Sequence, residues 1–390
     1  MATALLLIIY LTFISLGLPD SILGAAWPVA HETLGVPVSY AGFTSIFATA
    51  GTVVSSLVSV RLIRRFGTGR VTAACVVLTA VSLIGISFVN RYLFLCLLFI
   101  PLGLGVGSID AALNNYVALH YRAVHMNFLH AFWGVGATLG PLVMAAFLAS
   151  NGNWSGGYRA IGFIQLALAA IAICALPLWA RVARPEQAGE EASPVPAEIA
   201  GNREAVQNRG VRMAMLVFLF YCAAEVSAGL WAATYFVRIK GISPERAAQL
   251  GSLFYFGILA GRVLSGLLSV WLTETRLIRI GLALASAGVL LLLLPGAYAA
   301  IGLLLFGIGC APVFPNMIQL TPKRFGARLS QAAVGVEMAV SYVGCTAVPP
   351  VFGLIAGRLG FTVYPPVLLC CVALQIFLTE RLNAMTPDVR

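Results

Sequence analysis

The sequence predicts an all-α polytopic membrane protein of twelve transmembrane helices, arranged as two six-helix halves with pseudo-two-fold symmetry. Three observations predict it: too little charge for a soluble fold, a regular succession of long apolar runs, and an internal repeat at an offset of 204 to 210 residues. Of 390 residues, 60% are hydrophobic and 10% charged, and the mean hydropathy is +0.94. Soluble domains carry about 25% charged residues, so the chain cannot coat a water-soluble fold. A bilayer core about 30 Å thick takes roughly 20 apolar residues per helix, and a chain of this length holds about a dozen such spans with their turns.

The apolar runs, divided by charges and by Gly, Pro or Asn turns, place spans at 4–30, 38–60, 70–90, 92–118, 126–149, 157–180, 211–237, 246–271, 277–296, 298–320, 330–356 and 361–380. Met1-Ala-Thr-Ala lacks the positive segment of a cleavable signal, so the first run reads as a retained helix. Residues 182–210 hold five of the fourteen acidic residues and read as a polar cytoplasmic linker. It divides the chain into an N-terminal bundle, 1–181, and a C-terminal bundle, 211–390. With the linker inside, that side carries seventeen Lys/Arg and the opposite side six, with Arg262 inside a span. The excess predicts both termini cytoplasmic in an inner membrane. It also accounts for the net charge of +10 without nucleic acid. The eight cysteines all lie in apolar runs and form no loop CxxC, which reads as reduced packing residues.

The repeat is legible residue by residue. Gly51-Thr-Val-Val-Ser-Ser-Leu-Val-Ser-Val-Arg-Leu62 matches Gly261-Arg-Val-Leu-Ser-Gly-Leu-Leu-Ser-Val-Trp-Leu272 at seven of twelve positions. Gly136-Ala-Thr-Leu-Gly-Pro141 falls on Gly344-Cys-Thr-Ala-Val-Pro349, and Gly103-Leu-Gly105 on Gly307-Ile-Gly309. Two parallel six-helix repeats describe a secondary transporter, whose substrate site lies at mid-depth.

A charge near the bilayer centre costs at least about 2.5–3.5 kcal/mol, which marks Asp20, Asp110, His130, Glu225, Arg262 and Glu337 as candidates. Asp110 and Asn114 share one helix face, extended by Gly103 and Gly107. Asp20 follows Pro19, where a freed backbone marks a broken helix. Glu225 shares a face with Tyr221, and Trp231 and Tyr235 follow on the same span. Aromatic rings of this kind can stack on the C–H face of a sugar. Asp20, Asp110, Glu225 and His130 are the proton-coupling candidates. The substrate candidates are Asp20, Asp110, Asn114, Asn115, Trp133, Tyr221, Glu225, Trp231, Tyr235 and Asn316. Arg262 and Glu337 read as structural or gating residues. No nucleophile–base pair, metal-ligand cluster or Walker pattern is visible, so an enzyme or an ATP-driven pump is not expected, and neither is a cofactor.

The stretches Gly105-Val-Gly-Ser-Ile-Asp-Ala-Ala-Leu-Asn114, Met126-Asn-Phe-Leu-His-Ala-Phe-Trp133 and Tyr221-Cys-Ala-Ala-Glu-Val-Ser-Ala-Gly-Leu-Trp-Ala-Ala-Thr-Tyr235 resemble spans four, five and seven of fucose permease-like sugar transporters in the major facilitator superfamily. Phe314-Pro-Asn316 resembles a turn in their span ten. The resemblance implies symport of a monosaccharide, a hexose or 6-deoxyhexose, with protons; some animal relatives use sodium. It implies coupling by one acid in span one and one in span four, where Asp20 and Asp110 stand. Fucose permease has a glutamate where this chain has Asp110, which implies a different sugar. Arg61-Leu-Ile-Arg-Arg-Phe-Gly-Thr-Gly-Arg70 resembles the superfamily's inner-loop motif without its acidic residue, so Arg64, Arg65 and Arg70 are expected to grip span ends in one conformational state. The superfamily's usual state is a monomer. The competing readings are a proton-coupled exporter of drugs or other small metabolites and a non-transporting sensor. The amides of Asn114, Asn115, Asn127, Asn316 and Gln319 favour a polyol over an apolar drug.

Overall fold

The computed structural model describes residues 2–121, 123–150, 152–182, 201–295 and 297–386. Among them the chain is helical, and twelve helices are long and apolar enough to cross a membrane. In chain order the spans are Thr3–Thr33, Tyr40–Ser59, Thr68–Ile86, Tyr92–Val117, Phe128–Leu148, Trp154–Cys174, Arg209–Lys240, Pro244–Leu268, Glu274–Leu292, Tyr298–Gly326, Arg328–Leu359 and Phe361–Met385. They are called spans one to twelve below. All twelve predicted runs are present, with ends displaced by a few residues where polar end residues stay helical.

Most of the expected linker, 183–200, lies outside the described residues. Asn202–Gln207 is a short helix. Its Ala205 is fully buried with Val211, Ala332, Ala333 and Val336, and its Glu204 pairs with Arg328.

The chain forms two compact units, Met1–Glu191 with Phe236–Ser252, and Ala192–Tyr235 with Leu253–Arg390. Within each, glycines set the helix crossings, since membrane helices gain from close backbone approach rather than from hydrophobic burial. The repeated glycines carry this out twice. A Cβ on Gly51 would lie 2.5 Å from the Ile100 carbonyl oxygen, and one on Gly261 2.6 Å from that of Ile308. A Cβ on Gly103 would lie 2.0 Å from the Ala48 carbonyl oxygen, and one on Gly307 2.2 Å from that of Phe254. Gly105 and Gly309 close the crossings on Cys75 and Gly281. A Cβ on Gly136 would lie 2.2 Å from the Ile14 carbonyl oxygen, and one on Gly344 2.5 Å from that of Leu219. The sequence repeat is therefore a repeat of backbone contacts. Exposed apolar side chains such as Leu57, Val81, Phe163, Val343 and Phe377 cover the outside of the helices, as lipid requires.

Candidate transport site

The first unit builds its polar site where span one breaks. The helices Ala2–Asp20 and Ile22–Thr33 meet at Ser21. Pro19 has no N–H and frees the Ser15 carbonyl four residues back; the Gln165 amide of span six donates to that carbonyl at 2.5 Å. Asp20 stands at the break with its side chain exposed. The Trp133 indole donates to its Oδ2 at 2.9 Å. Span five can bring Trp133 so close because Gly17 has no side chain: a Cβ there would lie 2.0 Å from the Trp133 carbonyl oxygen.

Asp110 and Asp20 repel one another electrostatically, so spans one and four bring two carboxylates into one neighbourhood. The Asn114 amide donates to Asp110 Oδ1 at 2.8 Å and to the Asp110 carbonyl at 3.0 Å. Both its N–H bonds are thereby used. Asn114 can then only accept from a ligand hydroxyl. Gly103 and Gly107 do not extend an open face either. They pack on span two, where Thr52 and Ser56 donate to their carbonyls at 3.2 and 3.3 Å. Asn115 is exposed. His130 is half-buried, edge-on to Phe13 with ring centroids 5.9 Å apart.

The second unit assembles Tyr221 and Glu225 of span seven with Arg262 of span eight. The Tyr221 hydroxyl lies beside the Glu225 carboxylate, and Arg262 is the cation that offsets this acid. Phe314 of span ten packs on Tyr221 at 5.9 Å and on Phe218 at 5.4 Å. Span ten is itself interrupted at residues 311–312, between the helix Ala297–Cys310 and the helix that starts at Val313. The Asn316 amide donates to the Pro312 carbonyl at 2.6 Å and to Ser265 Oγ at 3.3 Å. It holds this break together and is buried.

Two expected contacts, at Trp231 and Tyr235, are corrected by packing. Trp231 is fully buried, gives its N–H to the Pro349 carbonyl at 3.2 Å, and lies against Phe352 and Phe361. Tyr235 donates to the Leu292 carbonyl at 2.8 Å and packs on Tyr364 at 5.0 Å. Both are core residues here, because their polar ends already bond to backbone. Glu337 stands apart from Glu225. Thr321 donates to its Oε2 at 3.0 Å, Oε1 is buried without a partner, and Arg324 offsets its charge. Arg64, Arg65 and Arg70 are exposed beside the turn at Gly67, with Arg65 over Phe66.

Sequence reasoning missed Gly17, Phe314 and Ser265, whose roles depend on which helix lies alongside. It also missed a polar cluster in the first unit. Arg238 donates to His31 Nε2 at 3.1 Å and lies 3.7 Å from Glu32, while His31 Nδ1 meets the Val36 carbonyl at 3.2 Å. The carbonyl can only accept and the guanidinium only donate, so His31 is held neutral with its proton on Nδ1.

The profile of the Major Facilitator Superfamily matches residues 9–349. The chain belongs to this superfamily. It is a secondary transporter rather than an enzyme. It is 24% identical to "Bypass of stop codon protein 6" of Saccharomyces cerevisiae (strain ATCC 204508 / S288c), over 94% of this chain and 80% of that protein. It is 25% identical to "Uncharacterized transporter y4wD" of Sinorhizobium fredii (strain NBRC 101917 / NGR234), over 78% of this chain and 79% of that one. Among solved structures, an inward-facing, unoccupied bacterial homologue of the human lysosomal transporter Spinster superimposes with a TM-score of 0.73 at 14% identity, covering 99% of this chain and 97% of that one. The nucleoside transporter NupG gives 0.71 at 14% identity, covering 97% and 98%. These similarities show a shared transporter fold.

Proposed function

We propose that this major facilitator protein is a proton-coupled monosaccharide symporter of the inner membrane, with both termini cytoplasmic and bundles 1–181 and 211–390 as its moving halves. The observation that carries the reading is the pair of acids Asp20 and Asp110, one exposed at a helix break and both anchored by neutral donors rather than by arginine. A carboxylate anchored by a neutral donor can take up and release a proton, as a coupling residue must. Loading that proton from outside removes a charge whose bare burial resists occlusion, and a sugar hydroxyl then takes the acceptor positions of Asp110 and Asn114. In the second unit the Glu225–Arg262 pair offers donors and an acceptor suited to a polyol. In the first unit the Trp133 indole offers an apolar face for the C–H side of a sugar.

The test is uptake into proteoliposomes under an imposed inward proton gradient, with labelled hexoses and 6-deoxyhexoses. Saturable uptake, lost with a protonophore, is expected. Asp20→Asn and Asp110→Asn are expected to lose gradient-driven accumulation while Asp20→Asn retains sugar exchange without a gradient. If correctly folded protein moves no sugar, the sugar reading fails and export of a non-sugar metabolite replaces it. If Asp110→Asn still accumulates sugar against its gradient, Asp110 is not the coupling residue.

A further inference from the structure

At the ends of spans nine, ten and twelve the second unit encloses a cavity of about 460 Å3 that the transport reading does not use. Its wall includes Thr275, Arg276, Arg279, Arg324, Glu380 and Asn383. Arg279 forms a two-pronged pair with Glu380, at 2.7 and 2.6 Å. Arg324 donates to Asn383 Oδ1 at 2.6 Å, but its Nε is buried without a partner. The Arg276 side chain is exposed and makes no hydrogen bond or ion pair with the described residues.

The charges around the cavity decide what can enter it. Arg276, Arg279, Arg324 and the adjacent Lys323 are cationic. Glu380 is paired with Arg279, Glu274 with Lys323, and Glu337 offsets Arg324 from the buried side. Four positive charges against three negative leave one positive charge, centred on Arg276. That residue suits a monoanion, and a guanidinium fork matches two oxygens of a phosphodiester.

The turn leading into the cavity shows where such a group comes from. Val270 and Trp271 are 77% and 74% exposed, immediately before the cavity residues at 273–276. An exposed indole at the end of a membrane span sits at headgroup level. The cavity mouth is then at the depth of lipid phosphates, and basic side chains there attract anionic lipid. We propose that this cavity binds the phosphodiester headgroup of an anionic phospholipid, with Arg276 as the principal contact and Arg324 Nε and Thr275 Oγ1 as further donors. The inference needs only that the chain is embedded in a bilayer and does not depend on the sugar reading.

Binding to the purified full chain in detergent is measured with dioctanoyl phosphatidylglycerol, dioctanoyl phosphatidylcholine and inorganic phosphate as separate probes. Saturable one-to-one binding of phosphatidylglycerol is expected, with far weaker binding of the other two. Arg276→Gln is expected to weaken it about five-fold, the equivalent of roughly 1 kcal/mol per basic side chain at an anionic surface. Arg358→Gln, in the same unit but outside the cavity, is expected to leave it unchanged. Because Arg276 has no structural partner, its variant keeps the wild-type thermal midpoint. Phosphate binding as tightly as phosphatidylglycerol would overturn the lipid assignment. Equal effects of the two variants, or none, would overturn the cavity as the site.

Discussion

Replacing Gly17 by Ala tests how the first unit holds its acid. The new methyl carbon would lie 2.0 Å from the Trp133 carbonyl oxygen and 2.6 Å from the Ala137 amide nitrogen. Carbon–oxygen contacts of this kind settle near about 3.3 Å, so spans one and five must part by about 1.3 Å. Both obstructing groups are backbone, and no rotamer change relieves them. The 2.9 Å bond from Trp133 to Asp20 then stretches to about 4 Å, beyond hydrogen-bonding range. Overpacking of this sort costs about 1–3 kcal/mol. The lost bond to a carboxylate adds about 1 kcal/mol, below the range for a buried charge because Asp20 is exposed. A destabilisation of about 2–4 kcal/mol follows, together with loss of proton-driven transport. Thermal unfolding in detergent, followed by intrinsic fluorescence, measures the first, and proteoliposome uptake the second. Gly335→Ala is the matched control, since a Cβ there meets nothing within 4 Å and the change should stay within about 1 kcal/mol. If Gly17→Ala unfolds at the wild-type midpoint, or if Gly335→Ala is equally damaged, the close-crossing argument is wrong.

Other outcomes follow from the same contacts. Tyr235→Phe removes one hydrogen bond to the Leu292 carbonyl, costs about 1 kcal/mol of stability, and leaves the KM for substrate unchanged; a large KM change would return Tyr235 to the site. Thr321→Val leaves the buried Glu337 carboxylate without its donor and should lower stability by about 1–3 kcal/mol, read as a lower thermal midpoint. Glu225→Gln leaves Arg262 without its acid; the double variant with Arg262→Gln should recover stability but not transport, and equal stability of single and double variants would refute the pairing. Trp133→Phe keeps the ring and removes the donor to Asp20, so it should impair proton-driven uptake more than gradient-free exchange.

Much of the architecture was legible because its determinants are local. Span number follows from hydropathy, and the two-fold repeat follows from glycines at matching positions. The break at Asp20 followed from Pro19, and the shared face of Asp110 and Asn114 from the spacing of residues four apart on a helix. Other features were not legible because they depend on neighbours from distant sequence. Trp231 and Tyr235 read as sugar platforms until Pro349 and Leu292 proved to accept their hydrogen bonds. Asn316 resembled a ligand but bridges Pro312 and Ser265. Arg238 counted only as a span-end charge, since nothing local brings it to His31 across more than 200 residues of chain.

The sequence by itself determined the membrane class, the twelve spans, the repeat and the acids that need a reason to be there. Hydropathy and helical periodicity are properties of short segments and survive without a fold. The tertiary structure alone decided which polar atoms are committed and which are open. It sorted Asp20, exposed at a helix break, from the buried Glu337, and Trp133, bonded to that acid, from Trp231, bonded to a backbone carbonyl in the core. That sorting depends on backbone approaches set by glycines such as Gly17 and Gly136, and such distances exist only once the helices are packed.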